Sequence, residues 1–402
     1  MIRAIDDIAP LTVVFAGGGS GGHLYPALAI ASELRRRVPD ARIVFFGTGR
    51  AIDDRILSAV QGEFVRQGVR PLSNRPWRWP EFAYCLYRER RSCRMRFDLN
   101  RPDVVIGTGG FASAPAVREA ARMGIPCGLL NPDCVPGKAN RYLAPHVDAV
   151  FAQWRETAAH WPDAVRVIVC GCPIRPAFAE ARREDGARRF DLDPAKKMLL
   201  VTGASQGART INEAVVANAD FLGAFTDWQV LHLTGDADFE TVRGAWSTSG
   251  VQARVLAYTE FMADALGAAD LVVSRAGAST LAEITAVGRA SVLFPYPFHK
   301  DRHQSENARC LERGGAALVL EDDIDPNANA PKLREALKEL MSDNGRREAM
   351  AGAARRMGRP HAASMIADHV LSWTVRTKPT VPSGLAAPAG RAVPSETVQA
   401  TS

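Results

Sequence analysis

No stretch of the 402-residue sequence approaches the roughly 18–20 uninterrupted apolar residues that a membrane-spanning helix requires. The first ten residues carry Asp6 and Asp7 and have no apolar signal-peptide core, so a cytoplasmic protein is expected. Cysteine is scarce. Cys85, Cys93, Cys127, Cys134, Cys170, Cys172 and Cys310 form an odd set without a CxxC pair, which argues against a disulfide framework or a zinc site. They read as reduced thiols, mostly core fillers. What is present is ordinary globular composition, 47% apolar and 23% charged, which excludes collagen, coiled coil and wholesale disorder. The length predicts two to three domains. A net charge of +6 suits nucleic acid, anionic lipid or phosphorylated substrates, and the choice depends on where the charge sits.

Short β-branched runs alternate with helical patterns, which predicts βαβ units around parallel sheets. Expected strands are 11–16, 43–47, 104–107, 127–130, 149–152 and 165–169, then 198–202, 230–233, 255–258, 271–274, 291–295 and 317–320. Two similar α/β halves follow, with a substrate cleft expected between them. Gly171-Cys-Pro-Ile-Arg-Pro176 is the expected linker, because two prolines in four residues disfavour a helix and a central strand. The predicted organisation is an arm at 1–10, domains at 11–172 and 173–376, and a proline-rich disordered tail at 377–402.

Strand 11–16 runs into Gly17-Gly-Gly-Ser20-Gly21-Gly22-His23 and then a helical stripe of Leu24, Ala27, Leu28, Ala31 and Leu34. Glycines let backbone N–H groups approach an anion, and the helix start adds partial positive charge, so the turn suits a diphosphate. It also serves as a plain strand-to-helix connection. The spacing fits neither GxGxxG nor GxxxxGK[ST], which disfavours a dinucleotide fold and a P-loop NTPase. Gly203-Ala-Ser205-Gln-Gly-Ala208 repeats the device in the second half. A third instance is Arg275-Ala-Gly277-Ala278-Ser279-Thr280-Leu281-Ala282-Glu283. Here Thr280 and Glu283 have capping-box spacing, which is one reading of both residues. The other is that Glu283 accepts hydrogen bonds from ribose hydroxyls.

Seven arginines stand against two glutamates between Arg75 and Phe97, interleaved with aromatics that include Trp77, Trp79 and Phe82. Such a segment fits an anionic membrane surface, with Trp77, Arg78, Trp79 and Phe82 as contacts, or a solvated helix with a half-buried aromatic stripe. No nucleic-acid-binding motif accompanies it. His299, Asp301 and His303 lack a third correctly placed metal ligand, so no metal site is expected.

Taken together, Gly18-Gly-Ser-Gly-Gly-His23 with Pro26-Ala-Leu-Ala29, Gly109-Gly-Phe111, Gly171-x-Pro-x-Arg175, Gly203-x-Ser-Gln-Gly-Ala208, Thr259-Glu-Phe261, Arg275-Ala-Gly277 with Glu283, and His299-Lys-Asp-Arg302 with Gln304 and Asn307-Ala308 resemble the MurG family. The resemblance spans about residues 11–375. It implies a GT-B fold, two Rossmann-like doubly wound parallel-sheet domains facing across a cleft, with a C-terminal helix (362–373) crossing back. It further implies inverting transfer of N-acetylglucosamine from UDP-GlcNAc to the polyprenyl-diphosphate-linked muramoyl-pentapeptide, at the cytoplasmic face of the cell membrane. By that resemblance Ser20, Gly21 and Gly22 belong to the substrate site, Ser205 contacts diphosphate, and Arg175 neutralises phosphate. Met262 holds uracil through its backbone, the Ala278–Glu283 segment lies under diphosphate and ribose, and Gln304 contacts the sugar. His303 stands where the family more often has glutamine, and Asp133 replaces an asparagine that contacts the sugar. Gly171-Cys172-Pro173 departs from the family's Gly-Asn-Pro.

Transfer to a hydroxyl needs a base, leaving-group stabilisation and alignment. His23 is the leading base, because an unperturbed imidazole titrates near working pH; bracing of the loop is its other reading, and Asp133 is the alternative base. N–H groups and Arg175 could meet the leaving-group charge, so no cofactor or metal is required in this reading. The competing functions are a UDP-GlcNAc 2-epimerase, a glycolipid synthase and a nucleotide-sugar-binding protein without activity.

Overall fold

The computed structural model describes residues 10–58, 62–70, 75–203, 207–298 and 302–377. The first sheet comprises β1 (Thr12–Gly17), β2 (Arg42–Gly47), β3 (Glu63–Arg66), β4 (Val104–Gly109), β5 (Cys127–Asn131), β6 (Ala149–Ala152) and β7 (Val167–Val169). The second comprises β8 (Lys197–Thr202), β9 (Trp228–Leu233), β10 (Ala253–Leu256), β11 (Leu271–Ser274), β12 (Ala290–Leu293) and β13 (Ala317–Val319). Strand orders are β3-β2-β1-β4-β5-β6-β7 and β10-β9-β8-β11-β12-β13, both wholly parallel. In each sheet the order reverses beside the first strand, which opens a crevice at the strands' C-terminal ends.

Register is set by burial on both faces. Phe15 sits opposite Phe45 on one side and Ile106 on the other, and all three are buried. A one-residue slip would turn each of them to the opposite layer. The helix Gly21–Arg37 covers this sheet because Leu24, Ile30 and Leu34 recur at helical spacing and are at most 2% exposed. Burying each is worth about 1.5–3 kcal/mol. Arg35, Arg36 and Arg37 fill its last turn, where positive charge meets the negative end of the dipole.

Two segments cross between the sheets. Cys170 and Cys172 are buried, and Gly171 adopts φ +95° with its α-carbon against Arg359; a β-carbon there would lie 2.4 Å from Arg359 Cβ. The chain crosses back near Gly358 into the helix Ala362–Thr377, whose Ile366, Ala367, Val370 and Trp373 enter the core beneath the first sheet. The second half is stitched by a buried polar cluster. Arg275 donates to Asp322, which also accepts from Thr210 and Asn329.

β3 was not anticipated. Its Glu63-Phe-Val-Arg66 sequence is only two apolar residues between two exposed charges, enough at a sheet edge, where a longer apolar run is not needed.

Candidate active site

The first glycine turn is held by a carboxylate. Asp53, fully buried, accepts from the Gly19 N–H (2.7 Å), the Thr48 N–H (2.8 Å) and the Thr48 hydroxyl (2.6 Å). Gly19 has φ +83°, and a β-carbon on Gly18 would lie 2.6 Å from the Asp53 carboxylate, so the turn and its brace require glycine. Nothing in the sequence singled out Asp53: it lies 34 residues from Gly19 and has no motif of its own.

Ser20 precedes the helix Gly21–Arg37, and His23 stands in its first turn. His23 Nδ1 is 3.0 Å from the Gly18 carbonyl oxygen and 3.1 Å from Ser20 Oγ. Because a carbonyl can only accept, the Nδ1 position carries the proton and Nε2 presents its lone pair. Glycines at the end of β4 make room for the ring, since a β-carbon on Gly109 would lie 2.8 Å from His23 Cδ2. The bracing and base readings of His23 are therefore compatible: Nδ1 braces the turn, and Nε2 makes no hydrogen bond among the described residues.

The second half supplies a helix start. The helix Ala278–Val287 begins after Gly277, which is the N-cap, and no side chain caps it. The capping-box reading of Thr280 and Glu283 is corrected accordingly: Thr280 lies inside the first turn and Glu283 in the second. Glu283 makes no side-chain hydrogen bond or ion pair among the described residues, and burial raises its carboxyl to about 7, against the opposing pull of Arg175. Arg175 is exposed at the cleft edge, donates to the Glu260 carbonyl (3.1 Å) and stacks over Phe178 (5.2 Å). Met262 opens the helix Met262–Ala268 just below. Across the mouth, Tyr25 of the first half lies near Tyr258 of the second; burial, and then the neighbouring phenol, push the Tyr25 phenol up.

A third element joins the halves. Asn307, fully buried, accepts from the Cys134 N–H (2.8 Å) and donates to Asp133 Oδ1 (2.8 Å) and the Ala276 carbonyl (3.4 Å). His303, one helical turn earlier, places Nδ1 3.4 Å from Asp133 Oδ2. Burial works to raise the Asp133 carboxyl, but hydrogen bonds from His303 and Asn307, with the positive potential of His303 and His23, outweigh it and hold the carboxyl below its ordinary range.

These walls enclose a cavity of about 1090 Å³. Of the residues expected from sequence, Ser20, Gly21, Gly22, His23, Asp133, Arg175, Met262, Ala278, Ser279, Thr280, Glu283 and Phe82 line it. Leu281 and Ala282 do not: they are 0% and 6% exposed and belong to the second half's core, so their expected substrate contact is corrected to packing. The physical reason is helical periodicity, which puts Leu281 and Ala282 on the core-facing side of this helix while Ala278, Ser279, Thr280 and Glu283 reach the cavity. Gln304 is also off the cavity surface. Its Oε1 accepts from the Ala276 and Tyr296 N–H groups (3.2 and 3.0 Å), which makes it a brace for the Gly277 turn. Ser205 lies outside the described residues, as do 299–301 and the tail from 378. Trp77 and Trp79, 73% and 52% exposed, stand with Arg78 on the outer surface at the start of the helix Trp79–Leu99. Among the described residues no helix is long and apolar enough to cross a membrane.

Both halves match described domain families: residues 13–152 the glycosyltransferase family 28 N-terminal domain, and residues 198–366 the family 28 C-terminal domain. The molecule is thus a two-domain hexosyltransferase of GT-B architecture. It is 36% identical over 366 residues to a Desulforamulus reducens protein named UDP-N-acetylglucosamine--N-acetylmuramyl-(pentapeptide) pyrophosphoryl-undecaprenol N-acetylglucosamine transferase, covering 89% of this chain and 97% of that one. A Halothermothrix orenii protein of the same name is 37% identical with the same coverage. The crystal structure of Acinetobacter baumannii MurG shares the fold, with a TM-score of 0.73 and 23% identity over 90% of this chain and 100% of that one. The chain belongs to the MurG family.

Proposed function

We propose that the protein transfers N-acetylglucosamine from UDP-GlcNAc to the 4-hydroxyl of the muramoyl sugar in undecaprenyl-diphospho-MurNAc-pentapeptide, with inversion at C1. The observation that carries this reading is convergence: His23 of the first half and the helix start at Ala278 of the second line one cavity.

In this reading the acceptor hydroxyl gives its proton to His23 Nε2 as its oxygen bonds to C1 of the donor. The C1–O bond to the diphosphate breaks, and the electron pair leaves with UDP. The Ala278–Thr280 helix start and Arg175 meet the charge that develops on the leaving group. Asp133, held ionised, favours the imidazolium that forms at His23. Its depressed pKa makes it a weak proton acceptor, so it serves better as an electrostatic partner than as the base. Glu283 accepts from the ribose hydroxyls, Met262 takes uracil at its backbone, and Ser205 adds a diphosphate contact. No step calls for a metal, and turnover in excess EDTA is the expected outcome. The exposed Trp77, Arg78 and Trp79 surface rests on an anionic membrane at its cytoplasmic face and delivers the lipid-linked acceptor.

Purified protein incubated with labelled UDP-GlcNAc and the lipid-linked acceptor tests the reading. Label in a β-linked lipid product supports it. Isomerised nucleotide sugar alone, transfer only to diacylglycerol, or binding without turnover would replace it with the epimerase, glycolipid synthase or binding-protein reading.

A further inference from the structure

The cavity is lined on its second-half side by polar groups such as Ser279, Thr280 and Glu283 interspersed with apolar ones such as Leu233, Leu266 and Ile284. Its first-half wall beyond the glycine turn is apolar, built from Ile52 and Ile56 of the helix Ala51–Leu57, Phe82 and Leu86 of the helix Trp79–Leu99, and Phe111. Phe82 and Leu86 are one turn apart and continue a stripe through Glu89, Cys93 and Phe97. Cys93 and Phe97 close against the first half's core, and Leu86 is packed only partly against it. Phe82 and Leu86 are half-buried and Ile52 is 36% exposed, so the stripe runs out of the core and over the cavity. Apolar side chains facing open volume beside a charged substrate need an apolar occupant.

We infer that this wall is a subsite for the first isoprene units of the acceptor's polyprenyl chain, those bonded to its diphosphate. The inference rests on the transferase reading above. A nucleotide sugar and a muramoyl peptide are polar throughout, and the isoprenoid is the one apolar part of either substrate. The wall shares the cavity with the start of the helix Gly21–Arg37, where the Gly21 and Gly22 N–H groups suit a diphosphate, so a diphosphate seated there sends its prenyl chain along Ile52 and Phe82. From Phe82 the same helix leads to Trp79 at the outer surface, so the subsite is continuous with the face proposed to meet the membrane. The chain would leave the bilayer by a few carbons only, and its burial offsets the cost of lifting the diphosphate off the surface.

The test uses two soluble acceptor analogues below their aggregation threshold, identical except for a ten-carbon isoprenyl or a methyl group on the diphosphate. KM and calorimetric Kd are measured for each without detergent. In the wild type the isoprenyl analogue should bind at least about tenfold more tightly, since several methylenes leave water. Phe82→Ser and Ile52→Ser, the latter at a half-open position that tolerates polarity, should each raise the isoprenyl KM about fivefold to tenfold. The methyl analogue and the donor should change less than about twofold, which separates loss of the subsite from loss of fold. Equal binding of both analogues by the wild type, or equal weakening of both in the variants, overturns the inference. Competition by monomeric short-chain phosphatidylglycerol, without any dependence on the isoprenoid, also overturns it and gives the wall to membrane acyl chains. Failure of the wild type to transfer sugar to either analogue overturns the transferase reading instead, and the calorimetric comparison still decides the subsite.

Discussion

The imidazole of His23 is useful as a base because one of its nitrogens is already committed. With Nδ1–H donating to the Gly18 carbonyl, the ring is held in the tautomer whose Nε2 can take a proton. His23→Gln should lower kcat about 100-fold or more while UDP binding by calorimetry stays within about twofold. Glu283 makes the opposite demand, since its burial favours the neutral acid while ribose recognition requires the carboxylate. Donor affinity should therefore fall as pH drops through about 7, and Glu283→Gln should flatten that profile and weaken binding throughout. The same residue should bear on stability. The unfolded carboxyl ionises near 4.5 and the folded one near 7, so the folded state binds more protons in that window and loses stability as pH rises through it. Glu283→Gln should accordingly raise Tm at pH 8, measured by calorimetry without ligand. Neither property is written in the sequence: the spacing of Thr280 and Glu283 suggested a cap, and only the position of Gly277 removed that reading.

At the scale of elements, each functional group depends on a neighbour that comes from far along the chain. β4 ends in glycine because His23 occupies the space of a side chain, and Gly109 has φ +112° besides. Gly109→Ala should leave a folded protein that binds UDP and loses turnover about 100-fold, since displacing the base by about 1 Å costs that much. β9 carries a second such dependence. His232, fully buried, accepts at Nδ1 from Trp246 Nε1–H (3.0 Å) and donates from Nε2 to Asn212 Oδ1 (3.0 Å). Asn212 in turn donates to the Thr234 carbonyl, beside which Gly207 packs so closely that a β-carbon would lie 2.0 Å from that oxygen. A buried neutral histidine thus backs the second glycine turn. Burial lowers its pKa from 6.5 to about 3, so the unfolded state binds the extra proton below pH 6.5. Stability should fall as pH drops from 6.5 toward 3, and His232→Asn should reduce that slope in urea titrations. The strands themselves were legible from apolar runs, and the one missed, β3, is an edge strand whose polar residues face water.

For the whole molecule, the relation of the two halves is the quantity that governs activity. Asn307 and Asp133 tie them across the cleft, Tyr25 and Tyr258 come near each other at its mouth, and among the described residues the chain crosses near Gly171 and Gly358. Domain closure about those two crossings is the motion such a layout permits. Attachment to the membrane belongs to this scale too, because charge and aromatic rings act as one surface. Replacing Trp77, Arg78 and Trp79 together by Ser should reduce co-sedimentation with anionic vesicles about tenfold, and high salt should weaken the wild type in the same direction. Unchanged co-sedimentation would place the membrane contact elsewhere.

By itself the sequence determined the alternation of strand and helix, the division into two halves and the glycine turns that open them, because these follow from local periodicity and from backbone conformations that few residues adopt. The tertiary structure alone decided that Asp53 braces the first turn, that Asn307 and His303 grip Asp133 from the other half, that Leu281 and Ala282 face the core, and that Gln304 supports a backbone turn. Those are contacts between residues 28 to 174 positions apart or choices of helix face, and both are set by how the elements pack, which no local pattern encodes.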